Sequence, residues 1–225
     1  MNTYSKRRMA LIAAATSGVL LLGACSSDDD GESQNKADFT SKSIIEAGAE
    51  NPMIAEGVII GPDAYFYKSS GLGPAALNEG APEASVDAYV DTSMFEDGAL
   101  TGGVTITEAQ GLNALAQIKD NLEAQGLTLQ DVVSMRVFLV RAPGAAAVDY
   151  AGWNRAYRQY FANTNLKSED TELVPLGTGE PAAPLERNPA RPSRYAIEVG
   201  SLPVPGWLVE LEVDAVYPAG DEPKE

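Results

Sequence analysis

Five charged side chains near the carboxyl terminus stand in a pattern that could do chemistry: Arg194 and Glu198 in one segment, Glu210, Glu212 and Asp214 in the next. Arg194 to Val199 alternates Arg194, Ala196 and Glu198 against Tyr195, Ile197 and Val199. Val209 to Val216 alternates Val209, Leu211, Val213 and Ala215 against Glu210, Glu212 and Asp214. Alternation of this kind divides the residues between the two faces of a strand. Two readings of the charged set follow. In one it is a solvated sheet surface laced with ion pairs. In the other it borders a pocket at a subunit interface, where Arg194 grips a substrate carboxylate with the two-pronged hydrogen bonding that a planar guanidinium allows. The rest of the inventory narrows the chemistry further. The chain has no His, so neither an imidazole base nor a His-ligated metal is available. Its one Cys is Cys25, which leaves no thiol nucleophile in the folded part and no disulfide. Catalysis falls to Arg, Lys, carboxylates, hydroxyls and backbone groups, with no metal or cofactor expected.

The elements that must hold these residues can be read from periodicity. Ala64 to Lys68 is rich in strand formers and runs into the turn residues Ser70-Gly71-Leu72-Gly73-Pro74. A connection rich in Gly, Pro, Ala and acids follows. Thr105-Ile106-Thr107-Glu108 has the spacing of a helix start, and Gly126 supplies a stop. Between them Leu112, Leu115, Ala116, Lys119 and Leu122 make one stripe. Asp131 to Arg141 reads as a strand covered on both faces, and residues 146–161 as a second helix whose Trp153, Tyr157, Tyr160 and Phe161 face the core. Residues 163–193 form a long loop without periodicity, of the kind that is functional or disordered. The two closing strands read as an antiparallel pair. The predicted order is strand, strand, helix, strand, helix, strand, strand: an α+β domain over residues 51–218 with two helices on one face of a mixed sheet.

The closing segments carry a resemblance. Arg194-Tyr195-Ala196-Ile197-Glu198-Val199, Leu202-Pro203 and Val209 to Val216 resemble the terminal signature of the RidA (YjgF) family. Pro52 with Gly57-Val58, Ser70-Gly71, Leu122 to Gly126 with Asp131-Val132-Val133, and Trp153-Asn154 with Tyr157 and Phe161 follow the family's order. The likeness spans about residues 50–217 and is interrupted near 75–100 and 163–190. It implies a chorismate-mutase-like fold, a homotrimer with ligand clefts between subunits, and hydrolysis of 2-imino or enamine acids to 2-keto acids and ammonia. Carried over by residue, Arg194 would clamp the substrate carboxylate and Glu210 would position the attacking water. Ser70, Gly71, Asn154 and Ala196 would line the cleft. The chain departs from the pattern in having Ala196 where Cys is frequent and Met53 where Tyr is frequent. Arg191 also sits in a Pro-Ala-Arg triplet like the family's, but its spacing to Glu198 selects Arg194 instead. A non-catalytic module that binds small carboxylates, and a structural lipoprotein whose 163–193 loop plugs the cleft, are the competing readings.

The amino terminus has the order of an export signal. Lys6, Arg7 and Arg8 precede the apolar run Met9 to Leu22, and Gly23-Ala24 precedes Cys25. Leu22-Gly23-Ala24-Cys25 resembles the lipobox of bacterial lipoproteins, which implies cleavage after residue 24 and acylation of Cys25. Ser26 in the next position favours the outer membrane in a Gram-negative host. Residues 25–50 then form a tether, and 219–225 an acidic tail. Cleavage removes three positive charges and no acidic ones, which takes the net charge from −16 to −19. Such an acidic chain is unsuited to nucleic acid and to anionic lipid surfaces, so membrane attachment is expected through the lipid alone.

Overall fold

The structure is a computed structural model that describes residues 39–223. Two helices pack on one face of a four-stranded mixed sheet, as the α+β reading expects. In chain order the elements are β1 (Ser41–Ile44), β2 (Gly57–Ile60), β3 (Phe66–Lys68), β4 (Phe95–Glu96), β5 (Ala99–Leu100), α1 (Ile106–Glu123), β6 (Val132–Leu139), α2 (Tyr150–Tyr160), β7 (Ser193–Glu198) and β8 (Val209–Val216). The main sheet has the order β3-β8-β6-β7, and β1-β2 and β4-β5 are separate two-stranded pairs.

Helix α1 starts where the capping box predicts. Thr105 accepts from the Glu108 backbone N–H, and the Glu108 carboxylate reaches back to the Thr105 N–H. Helix α2 is capped by Asp149, which accepts from the Gly152 N–H at 2.7 Å. The two caps are tied together by the Thr105 hydroxyl, which donates to Asp149. Between the helices and the sheet lies one core. Leu115, Ile118 and Leu122 from α1 meet Trp153, Tyr157 and Phe161 from α2, over Met135, Val137 and Leu139 of β6 and Leu211, Val213 and Ala215 of β8.

Three expectations need correction. The closing strands are not an antiparallel pair. β7 runs parallel to β6, and β8 lies between β3 and β6, antiparallel to both. Helix α2 is the reason: it returns the chain to the end where β6 began, and such a crossover makes the next strand parallel. Secondly, strand pairing begins before Asn51, because β1, inside the stretch read as tether, pairs with β2, Ser41 opposite Ile60. Backbone hydrogen bonds made this strand without the apolar signal that composition looks for. Thirdly, residues 163–193 are not structureless. Asn163 donates to the carbonyls of Arg158 and Glu186 and accepts from the Asn188 N–H, while Gln159 donates to the Pro175 carbonyl and accepts from the Leu185 N–H. These amides strap the segment along α2, and isolated backbone bridges join Thr164 to Thr171 and Val174 to Ala182.

Glu108 fixes the same joint from inside. It is fully buried, accepts from Arg155 Nε and Nη2 at 3.0 and 2.7 Å through one oxygen, and from the Gly177 N–H at 2.9 Å through the other. One carboxylate thus holds α1, α2 and the long segment together. Among the described residues no helix is long and apolar enough to cross a membrane. Cys25 and the export signal lie outside the described residues.

Candidate functional site

Register decides which charged residues share a face. Arg194 is opposite Met135, whose side chain is fully buried toward the helices, so Arg194 lies on the helix side of β7. Glu210 is opposite Phe138, three residues from Met135 and therefore on the other face. β6 stands between β7 and β8. Arg194 and Glu210 do not sit at facing positions of neighbouring strands, as the paired-strand reading supposed; in one chain they point to opposite sides of the sheet. Glu198, opposite Leu139, shares the face of Arg194, while Glu212 and Asp214, opposite Arg136 and Ser134, share that of Glu210.

The ion-paired reading describes three of the five charged residues, Glu198, Glu212 and Asp214. Glu212 and Asp214 are ion-paired surface. Arg136 Nε donates to Glu212 at 2.8 Å, and its two Nη atoms donate to both oxygens of Asp214 at 2.7 and 2.9 Å. These hydrogen bonds hold the Asp214 carboxyl below its usual range and push the Arg136 guanidinium up. Glu198 pairs with Arg141 at 2.7 Å. Arg194 and Glu210 are in no ion pair among the described residues.

Arg194 has an unusual setting. Its guanidinium carbon lies 4.1 Å from the centre of the Tyr157 ring, and Nη2 donates to Asn154 Oδ1 at 2.9 Å. Asn154 and Tyr157, three apart on α2, present their side chains to the same place. Nη1 is buried and has no hydrogen-bond partner. Burial pulls the guanidinium below its ordinary value, opposed by the Tyr157 phenol. The Tyr157 ring stacks on Phe161 at 5.3 Å, and its hydroxyl donates to the Met53 carbonyl at 2.9 Å. Arg191 is a fully engaged structural residue. Only 2% exposed, it donates to Asn51 and to the carbonyls of Pro52, Ala162, Thr164 and Pro189.

Glu210 lies against Gly71. A Cβ on Gly71 would stand 2.1 Å from Glu210 Oε1, so the absent side chain is what lets the carboxylate rest there. Burial raises the Glu210 carboxyl above its ordinary value, and the neighbouring Glu212 charge adds to the rise. Ser70 is exposed beside Gly71, and the buried neighbour Ser69 takes the structural task by accepting from the Val213 N–H. Ala196 packs its methyl against the edge of the core. The principal cavities of the single chain are lined by other residues. No group of three or more His, Cys, Asp or Glu able to hold a metal occurs among the described residues. Sequence reasoning placed Tyr157 in the core but missed it as the platform under Arg194; its three-residue spacing from Asn154 was the available signal.

The chain thus places two helices on one face of a mixed sheet, with Arg194 on the edge strand and Glu210 on the far face. Residues 92–217 match the family model described as Endoribonuclease L-PSP, and the chain belongs to that family. Solved structures of YjgF and Rid proteins are similar to it. One is a YjgF-family member from Mycobacterium tuberculosis, at 20% identity over 79% of this chain and 99% of that one, TM-score 0.37. Another is a YjgF-family protein from Neisseria meningitidis, at 18% identity over 79% and 95%, TM-score 0.36. A third is a Rid-family protein from Yersinia pestis, at 19% identity over 79% and 99%, TM-score 0.36. No curated protein matches the chain.

Proposed function

We propose that this protein hydrolyses small 2-imino or enamine acids to 2-keto acids and ammonia in the cell envelope, as a homotrimer held to the membrane by an acylated Cys25. The observation that carries the reading is Arg194: a guanidinium packed on an aromatic ring, with one nitrogen buried and unpartnered and no carboxylate neutralising it among the described residues. A buried donor left without a partner costs about 1–3 kcal/mol. A substrate carboxylate would satisfy that nitrogen and the charge together.

The reaction needs little more than positioning. The imine carbon is already electrophilic, so Glu210 has to orient a water and take one of its protons as the new C–O bond forms. The C=N electron pair passes to nitrogen, which takes the proton back from Glu210 to complete the carbinolamine. The carbinolamine then collapses: Glu210 relays the hydroxyl proton to nitrogen, the C–N bond breaks to release ammonia, and the hydroxyl oxygen becomes the keto oxygen. A carboxyl whose basicity is raised by burial suits both proton transfers. Arg194 and Glu210 of one chain face opposite sides of the sheet, so a cleft that uses both needs Arg194 from one copy and Glu210 from its neighbour. This supports the trimer with sites between subunits.

RNA cleavage, which the family model's name suggests, fits poorly: the chain has no His and a net charge of −16, which repels phosphate backbones. The test is ammonia release from 2-imino acids generated in situ by an amino-acid oxidase. The wild type should accelerate release and Arg194→Ala should return it to the buffer rate; a wild type no faster than buffer ends the enzymatic reading. Keto-acid binding without turnover, lost in Arg194→Ala, would make the protein a carboxylate-binding lipoprotein instead. Anchoring is read by palmitate labelling, which Cys25→Ser should abolish.

A further inference from the structure

A cavity lies away from Arg194 and Glu210, where α1 meets the two segments that interrupt the family resemblance. It measures about 360 Å³, inside the range of roughly 300–1,000 Å³ typical of small-molecule sites. Its floor is the α1 surface at Ala109, Leu112 and Ala116, and its walls are Met94 from the first segment and Leu176 and Leu185 from the second. The walls are fixed by polar ties rather than by the cavity itself. Asn113 donates to the carbonyls of Ala75 and Tyr89 and accepts from the Ala75 N–H, and Gln159 holds Pro175 and Leu185. Leu77, Leu176 and Leu185, three of the large apolar side chains left exposed, all converge on this one space.

The polar atoms on the wall are as informative. Tyr160 is only 9% exposed and lines the cavity, yet its hydroxyl has no hydrogen-bond partner among the described residues. Gln117 lines it with its amide equally unengaged. Asp91 is the one charged lining residue. The Ser93 side chain and backbone hold its carboxyl below the usual range, so it is anionic at neutral pH. No Lys or Arg lines the space.

We infer that this cavity binds a small organic cation, an amine on an aliphatic or aromatic body, with the ammonium at Asp91 and the body between α1 and the two Leu-bearing segments. Charge complementarity selects the cation: an anionic ligand would meet Asp91 with no compensating base, in a chain of net charge −16. The site does not depend on the deaminase reading, since neither Arg194 nor Glu210 takes part.

Calorimetric titration of the full chain with phenethylamine, and with 3-phenylpropionate as its anionic counterpart, tests the inference. The amine should bind saturably at one per chain and the acid should not compete. Asp91→Asn should weaken the amine by about tenfold, the loss of one charge-assisted hydrogen bond. Ala116→Leu should remove binding by filling the floor, and Arg194→Ala should leave it unchanged. Binding of acid and amine with equal affinity overturns the proposal, as does amine binding unaffected by Asp91→Asn. That isosteric variant decides the matter alone should Ala116→Leu fail to fold.

Discussion

Glu210 and Glu212 are two residues apart on one face of β8 but differ in what meets them. Glu212 accepts from Arg136, while Glu210 rests in the space that Gly71 leaves open and feels Glu212 as a like charge. For a carboxylate that takes a proton from water, activity should rise with pH through its raised pKa, because only the ionised form can act as base. Glu212→Gln removes the like charge and frees Arg136 to act on the same face; both changes favour ionised Glu210 and lower its pKa. The acidic limb of the kcat/KM profile should therefore move to lower pH in Glu212→Gln, with the alkaline limb unmoved. An acidic limb that stays in place would show that another group is titrating. The alternation of the last two strands put Arg194 and Glu210 among the charged residues of the closing segments, and only the family resemblance singled out Glu210. What was not legible is the reason each stays unpaired. Arg136, which absorbs Glu212 and Asp214, sits on a different strand, and no local pattern reveals that it prefers those two acids to Glu210.

Among the elements, the joint between α1, α2 and the 163–193 segment rests on Glu108. Glu108→Ala would leave the buried Gly177 N–H and the partly buried Arg155 guanidinium without their acceptor. Breaking one side of a buried pair costs about 3–5 kcal/mol, so urea unfolding should lose that much stability, and proteolysis should begin within residues 163–193. A loss below about 0.5 kcal/mol, the usual surface value, would mean Glu108 is merely a helix cap. The capping role was visible in Thr105-Ile106-Thr107-Glu108, since caps are local. The second role was not, because its partners come from a different helix and a segment with no periodicity. The same division runs through the fold. Helix α1 and the β6 and β8 strands lie where their periods put them, because burying one stripe or face is a local demand, while α2 starts only at Tyr150, after its Asp149 cap, and not at residue 146. Strand order was misread, because alternation says which side a residue faces and nothing about which neighbour it faces it beside. The 163–193 segment was read as loose because its order comes from the side-chain amides of Asn163 and Gln159 and from isolated backbone bridges such as Val174 with Ala182, which no hydrophobic period reports.

For the whole molecule, the opposed faces of Arg194 and Glu210 turn the subunit arrangement into something that activity can measure. In the proposed ring of three copies each cleft would draw its Arg194 from one copy and its Glu210 from the next, so Arg194→Ala and Glu210→Gln would damage different halves of the same cleft. Each variant alone should be inactive. When the two are denatured and refolded together in equal amounts, a cleft is intact if the copy giving Arg194 carries only the Glu210 change and the copy giving Glu210 carries only the Arg194 change. Random assembly makes that true of about one cleft in four, so the mixture should recover roughly a quarter of wild-type activity. Mixing the folded trimers without denaturation should recover none until subunits exchange. If instead both residues served a ligand within one chain, every cleft in the mixture would lack one of them and refolding would restore nothing. Recovery near a quarter therefore reports both the assembly and the division of labour within it, while an inactive refolded mixture of well-folded chains would remove Glu210 or the shared cleft from the mechanism.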